Sequence, residues 1–280
     1  MRHLLILFLL LGFFIPLQAQ EVPVDDRVTM GQLENGLHYY IMHNEKPKDR
    51  AEFRLALKAG SIMEDDDQQG LAHFVEHMAF NGTENFEKNE LVDYLELTGT
   101  RFGPDLNAYT SFDETVYMLQ VRTDSSSIYE QGLQIMRDWA GGITFDGEEI
   151  DKERGVIMSE YRSRLSPDQR MSNEYFPVLY QGSKYANRLP IGKTDIIQNA
   201  PYERLRTFYK DWYRPNLMAL IVVGDIDVSA TEQQIRALFK GLENPENEKE
   251  RTEYEVPFHE ETRIKVVDDE EAAFTRVQFG

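Results

Sequence analysis

Apolar residues alternate with polar ones in several short segments of the chain, which is typical of strands buried on one face. In Ala51–Ala59, for example, Phe53, Leu55 and Leu57 alternate with charged neighbours. The other predicted strands are Leu37–Met42, Leu106–Ser111, Thr115–Val121 and Leu217–Val223. These segments predict a sheet with one face on a core.

Apolar residues three and four positions apart predict helices between the strands. The predicted helices are Gly70–Phe80, Phe86–Thr98, Ser126–Ala140, Glu148–Leu165, Pro201–Trp212 and Ala230–Leu242. Asn81-Gly82 and Ser166-Pro167 are sequences that commonly end helices, and we expect a loop-rich stretch through Arg188–Gly192. Strands and helices mix without a strict βαβ rhythm or a Gly-rich phosphate loop, so we predict an α+β fold.

The two ends of the chain differ from its middle. Residues 1–20 contain an apolar run from Leu4 to Leu17 after a basic start, which is typical of a signal peptide. An uncleaved anchor is disfavoured, because the run is shorter than the roughly 20 residues of a spanning helix. We therefore expect an exported protein, periplasmic or secreted, without a stable membrane anchor. Its folded domain would span residues 21–242, followed by a charged linker at 243–257.

Two further strands are predicted near the end of the chain, at Arg263–Val267 and Phe274–Gly280. Because they follow the charged linker, they indicate that a second domain starts at residues 258–280. The chain is then expected to be a fragment of a longer protein.

The composition of the chain limits its possible metal ligands, nucleophiles and binding partners. The chain has no cysteine, which excludes disulfides, cysteine-ligated metals and thiol nucleophiles. It carries 49 acidic and 30 basic residues, for a net charge of −19, so nucleic acids and anionic membranes are disfavoured as partners. Any metal must be bound by histidine, aspartate or glutamate.

The segment His73-Phe-Val-Glu-His77 is the main candidate for catalytic chemistry. An α-helix turns by about 100° per residue, so His73, Glu76 and His77 share one face. Two imidazoles one turn apart can bind a zinc ion, and the carboxylate beside them can take a proton from water that the metal activates. The order His-x-x-Glu-His is the signature of the inverzincins. The alternative is a pair of surface histidines.

A third ligand must come from elsewhere, and Glu153 and Glu160 are the candidates. They lie seven residues apart in the predicted helix Glu148–Leu165, so they share one stripe. A solvated acidic face is the alternative for both glutamates. Val156 and Ile157 lie nearby, however, and favour partial burial.

Together these segments resemble the pitrilysin/insulinase-type zinc peptidases of family M16, which include the mitochondrial processing peptidases. The resembling segments are His73–Thr83, Leu106–Ser111, Glu114–Tyr117, Lys152–Glu160, Arg188–Gly192, Phe208–Pro215 and Val223–Asp225. The resemblance covers about residues 28–240. It implies a LuxS/mitochondrial-processing-peptidase-like metallohydrolase fold, with a mostly antiparallel sheet and helices packed on one face.

The resemblance implies that His73, His77 and Glu160 bind one zinc ion and that Glu76 is the general base. Glu153 would support the site from two turns earlier. Glu160 lies 83 residues after His77, further than is usual in the family, and by raw spacing Glu153 would be the ligand. We prefer Glu160, because the family pattern has two glutamates seven residues apart and the second binds the metal. The extra length is accommodated by residues such as Arg101–Asp105.

The family resemblance also implies that Asn107 and Ala108 lie on an edge strand that pairs with the substrate backbone. For Asn107 the alternative is a turn residue near Gly103-Pro104. The implied function is a zinc-dependent endopeptidase that hydrolyses peptides or unfolded polypeptides. A second homologous half, in the same longer chain or as a separate subunit, is its expected partner. A non-catalytic partner subunit and a metal-binding protein of the same fold are the alternative functions.

Overall fold

A computed structural model describes residues 23–87 and 90–277, apart from the side chains of Val92 and Glu96. The predicted signal peptide lies outside the described residues. The strands are β1 (Thr29–Gln32), β2 (His38–His43), β3 (Arg50–Leu57), β4 (Leu106–Thr110), β5 (Thr115–Arg122) and β6 (Met218–Gly224). The α-helices are α1 (Leu71–Met78), α2 (Glu90–Leu97), α3 (Ser126–Gly141), α4 (Gly147–Arg164), α5 (Pro167–Leu179), α6 (Thr194–Asn199), α7 (Tyr202–Trp212) and α8 (Val228–Phe239).

The six strands form one sheet in the order β1-β2-β6-β3-β5-β4. Its neighbouring strands are antiparallel except β2 and β6, which run parallel. Phe53 of β3 lies opposite Leu119 on one side and Val222 on the other, and all three side chains are buried. Helix α3 packs on β3 and β5, α8 on β2, and α1 on β4. The predicted α+β fold, with a mostly antiparallel sheet and helices on one face, is confirmed.

The core lies between this sheet and its helices, and it holds the end of α1 in place. Trp139 of α3 is completely buried and its indole N–H donates to the carbonyl of Ala79, at 2.9 Å. Tyr117 of β5 packs on the same indole, with ring centroids 5.1 Å apart. The residue that follows α1 is therefore anchored to both layers of the fold.

Ser166-Pro167 ends one helix, as expected, and also begins another. The hydroxyl of Ser166 accepts a hydrogen bond from the backbone N–H of Gln169, so Ser166 caps α5. Proline is tolerated in a first helical turn, where its missing N–H would have no partner within the helix. The sequence pattern predicts no helix at this position, so α5 is found only in the structure.

Residues 258–277 follow the surface without forming a strand. The strand predicted at Arg263–Val267 is therefore wrong, and only part of Phe274–Gly280 is described. Ile264 and Val266 alternate as in a strand but are 80% and 85% exposed, and no described strand supplies hydrogen bonds to them. The segment is held on α5 instead, where Arg170 pairs with Asp269 at 2.6 Å. The predicted domain boundaries stay predictions.

No helix in the described part of the chain is long and apolar enough to cross a membrane.

Candidate metal centre

Helix α1 carries the two histidines, and a buried carboxylate determines where the helix begins. Gly70 precedes α1 with a φ of 102°, a conformation that glycine adopts without strain. One carboxylate oxygen of Glu64 accepts the backbone N–H groups of Gly70 and Ala72, at 3.0 and 2.9 Å. These bonds satisfy N–H groups that have no partner within the helix. Burial raises the pKa of Glu64 well above its ordinary value.

Three ligand atoms converge above α1. Nε2 of His73 lies 3.2 Å from Nε2 of His77, and Oε2 of Glu160 lies 3.6 and 3.2 Å from these two nitrogens. Four nitrogen and oxygen ligands placed tetrahedrally about 2.0–2.2 Å from zinc are roughly 3.3–3.6 Å from one another. The two imidazoles and one carboxylate thus fit a zinc ion in both donor type and spacing, with one position left open.

Glu153 does not lie at this point of convergence. Its Oε1 is 2.7 Å from Nδ1 of His77, the ring nitrogen on the side away from Nε2. A hydrogen bond from Nδ1 to a carboxylate orients the ring and leaves Nε2 free to bind a metal. The structure therefore brings Glu160, rather than Glu153, to the two Nε2 atoms. Glu153 instead contacts the far side of His77.

Glu76 lies on the same face of α1 and is only 8% exposed. Its Oε2 accepts a hydrogen bond of 2.5 Å from the hydroxyl of Thr110 in β4. Burial raises the pKa of Glu76, and the bond from Thr110 opposes that shift by favouring the charged form. Sequence reasoning missed Thr110. Alternation along β4 places Thr110 on the same strand face as Ala108, but it does not indicate that this face meets Glu76.

The charges of these side chains are strongly coupled. Burial and the neighbouring His77 lower the pKa of His73 to about 4. Burial alone would also lower the pKa of His77, but Glu153 and Glu160 outweigh it and raise that pKa to about 9. His77, His73 and Arg164 lower the pKa of Glu160 to about 2. This arrangement therefore favours positive charge between two carboxylates, where a metal cation could take the place of a proton.

Asn107 and Ala108 lie in β4, the last strand of the sheet. Asn107 is exposed and Ala108 is half-buried. Asn107 belongs to the strand and not to a turn, so the alternative for this residue is wrong. Strand β4 pairs with β5 on one side, and no described strand pairs with its other edge. Such an edge can add an extended peptide as another strand. The role of Asn107 and Ala108 in substrate binding stays a prediction.

Residues 39–186 match the family model described as Insulinase (Peptidase family M16). The chain belongs to peptidase family M16. Residues 199–280 match a second model, described as Peptidase M16 inactive domain. That match includes β6, which lies between β2 and β3 in the sheet.

Curated relatives are named as proteases. The chain is 37% identical over 290 residues to the "Probable zinc protease PqqL" of Haemophilus influenzae, covering 100% of this chain and 31% of that protein. It is 34% identical over 235 residues to the "Stromal processing peptidase, chloroplastic" of Pisum sativum, covering 82% and 18% of the two chains. The chain thus spans less than a third of either relative.

A solved structure supports the fold. The first half of the periplasmic protease PqqL from Escherichia coli superposes with a TM-score of 0.78 at 39% identity. The match covers 82% of this chain and 49% of that one. The predicted resemblance to the M16 peptidases is therefore confirmed, and at the level of the family the chain is similar to zinc proteases.

Proposed function

We propose that this chain carries the catalytic site of an exported, zinc-dependent endopeptidase. His73, His77 and Glu160 would bind the zinc ion, and Glu76 would be the general base. The observation that carries the proposal is the convergence of three ligand atoms at 3.2–3.6 Å on the helix face that also presents Glu76. The zinc proteases among its relatives add support.

Zinc, when bound, polarises the scissile carbonyl and lowers the pKa of water toward about 7. Glu76 takes the proton from the attacking water and later gives it to the leaving amine. Burial suits Glu76 to this exchange, because the raised pKa of its carboxyl group is closer to neutral pH. Thr110 holds one carboxylate oxygen, so the other would carry the proton transfer. Glu153 keeps the His77 ring oriented from behind.

Substrate would bind along the free edge of β4. Residues in a strand are about 3.3–3.4 Å apart, so Ala108 lies roughly 7 Å along the strand from Thr110, which contacts Glu76. A peptide that pairs with Asn107 and Ala108 through its backbone would thus run past the base. Backbone pairing tolerates many sequences, which suits peptides and unfolded polypeptides as substrates.

A second homologous M16 half, in the same longer chain or in another subunit, would enclose the substrate. The relatives support a longer chain of this kind, since the chain covers only 49% of the solved first half of PqqL and 26% of the whole protease. PqqL of Escherichia coli is a periplasmic protease, which supports export, and a periplasmic or secreted location is part of the proposal.

Zinc analysis with a quenched-peptide assay tests the proposal. Wild type and Glu76→Gln should hold about one zinc per chain, whereas His77→Ala and Glu160→Gln should lose it. Peptide turnover should fall by about 10²–10⁴-fold in Glu76→Gln, the contribution typical of a general base. Glu148→Gln is a matched control, since Glu148 is an exposed glutamate of the same helix as Glu160.

Zinc retained in Glu160→Gln would contradict the proposed ligand set. Full activity of Glu76→Gln would contradict the proposed base. Zinc without peptide turnover in the wild type, even with the second half present, would favour a metal-binding protein or a non-catalytic subunit.

A further inference from the structure

Asn81 connects the end of the histidine helix to the glutamate helix. It follows α1 by three residues, and its side-chain Nδ2 lies 3.1 Å from the backbone carbonyl of His77. The same nitrogen lies 2.8 Å from Oε2 of Glu153 in α4. The other oxygen of Glu153 holds Nδ1 of His77. Asn81, Glu153 and His77 therefore form a closed ring of hydrogen bonds.

The amide of Asn81 can be oriented in only one productive way. Both of its neighbours, the carbonyl of His77 and the carboxylate of Glu153, are acceptors. An asparagine NH₂ group has two hydrogens and can donate to both, whereas its oxygen could bond to neither. Rotating the amide would also place its oxygen against the charged Glu153.

From this ring of bonds we infer that Asn81 is a positioning residue for the metal site, acting through Glu153 on His77. The carboxylate of a glutamate has two oxygens and can rotate about the Cγ–Cδ bond. Asn81 fixes one oxygen, so the other stays aimed at Nδ1 of His77. The imidazole then presents Nε2 toward Nε2 of His73 and Oε2 of Glu160.

The bond to Glu153 separates this role from that of a helix cap. A cap needs only the bond from the side chain to the carbonyl of His77, four residues earlier. Groups that orient a metal-binding histidine from behind typically contribute about 10–100-fold to metal affinity. The inference rests on the proposed function, since it concerns the same zinc site.

The test is zinc affinity, measured by chelator competition, with urea unfolding of the metal-free chain alongside. Asn81→Leu keeps a similar volume but removes both donor hydrogens, and it should weaken zinc binding by about tenfold or more. Asn85→Leu is the matched control. Asn85 also donates to a buried carboxylate, that of Asp138 at 2.8 Å, which has no contact with His77. The Asn85→Leu variant should change the free energy of unfolding but keep a zinc affinity within about twofold of wild type.

A double-mutant cycle then tests the route through Glu153. Glu153→Gln alone should weaken zinc binding by about 10–100-fold, and adding Asn81→Leu should cost little more, because residues in one hydrogen-bond network are not additive. Costs that simply multiply would overturn the inference. So would an Asn81→Leu variant that loses stability but keeps wild-type zinc affinity. A wild-type chain without zinc would instead overturn the proposed function together with this inference.

Discussion

Replacing Gly192 with alanine should disturb the metal site from outside it. Gly192 packs on the residues that precede α1, with a φ of 72°. A Cβ added there would lie 2.2 Å from Cα and 2.5 Å from N of Gly70, and 2.6 Å from the carbonyl oxygen of Gln69. All three atoms are backbone, so no flexible side chain can move aside.

The size of the effect follows from these contacts. A non-glycine residue in the left-handed region costs about 1–2 kcal/mol, and overpacking a tight contact typically costs about 1–3 kcal/mol more. The Gly70 N–H is bound to Glu64 and the Gln69 carbonyl to Lys193, which limits relaxation. We therefore expect the free energy of unfolding to fall by about 2–5 kcal/mol.

The same clash should also displace the metal-binding histidines. Relieving it requires a movement of roughly 1 Å at Gly70, three residues before His73, and a misplacement of that size can cost about 10²-fold in rate. Urea unfolding measures the loss of stability, and a zinc titration together with the quenched-peptide assay measures the effect on the metal site. Gly155→Ala is the control, because Gly155 is exposed within α4 with no neighbour near its Cβ position. It should stabilise the chain by about 0.5–1 kcal/mol.

If Gly192→Ala unfolds at the wild-type urea concentration and keeps wild-type zinc affinity, the reasoning is refuted. The loop would then move away from α1 without cost.

Three further predictions concern the base, the core and the metal. Thr110→Val removes the hydrogen bond that favours the ionised form of Glu76, so the pKa of Glu76 should rise. The acid limb of the pH profile of kcat/KM should then move about one pH unit higher. An unmoved limb would contradict this prediction. Leu133→Ala leaves a cavity at a fully buried position in α3, so the free energy of unfolding measured in urea should fall by about 2–5 kcal/mol. A fall below about 1 kcal/mol would show a loosely packed core. Removing zinc with a chelator should lower Tm by about 5–10 °C, because free zinc at about 100 times its Kd stabilises the folded chain by about 2.7 kcal/mol. Adding zinc should restore the Tm, and adding magnesium should not. An unchanged Tm would count against a resident zinc ion.

Much of the fold and part of the site could be predicted from local patterns. The alternation of Phe53, Leu55 and Leu57 predicted both a strand and its buried face, and the structure has them in β3. The spacing of His73, Glu76 and His77 put them on one helix face, because the helical repeat depends only on neighbouring residues. The absence of cysteine also limited the possible metal ligands to histidine, aspartate and glutamate.

Other features depend on elements that are far apart in the chain. Glu153 and Glu160 share one stripe of α4, so periodicity could not choose between them. The packing of α4 against α1 brings Glu160 to the two Nε2 atoms and Glu153 to Nδ1 of His77. Neither the bond from Thr110 to Glu76 nor that from Asn81 to Glu153 follows from spacing.

The sequence by itself therefore determined most of the strands and helices, the family and the set of candidate ligands. The tertiary structure alone decided which atoms of those ligands meet. The physical reason is that periodicity is a property of consecutive residues, whereas a metal site needs atoms from two helices within about 3.5 Å of one another. That distance is set by how α1 and α4 pack on the same core.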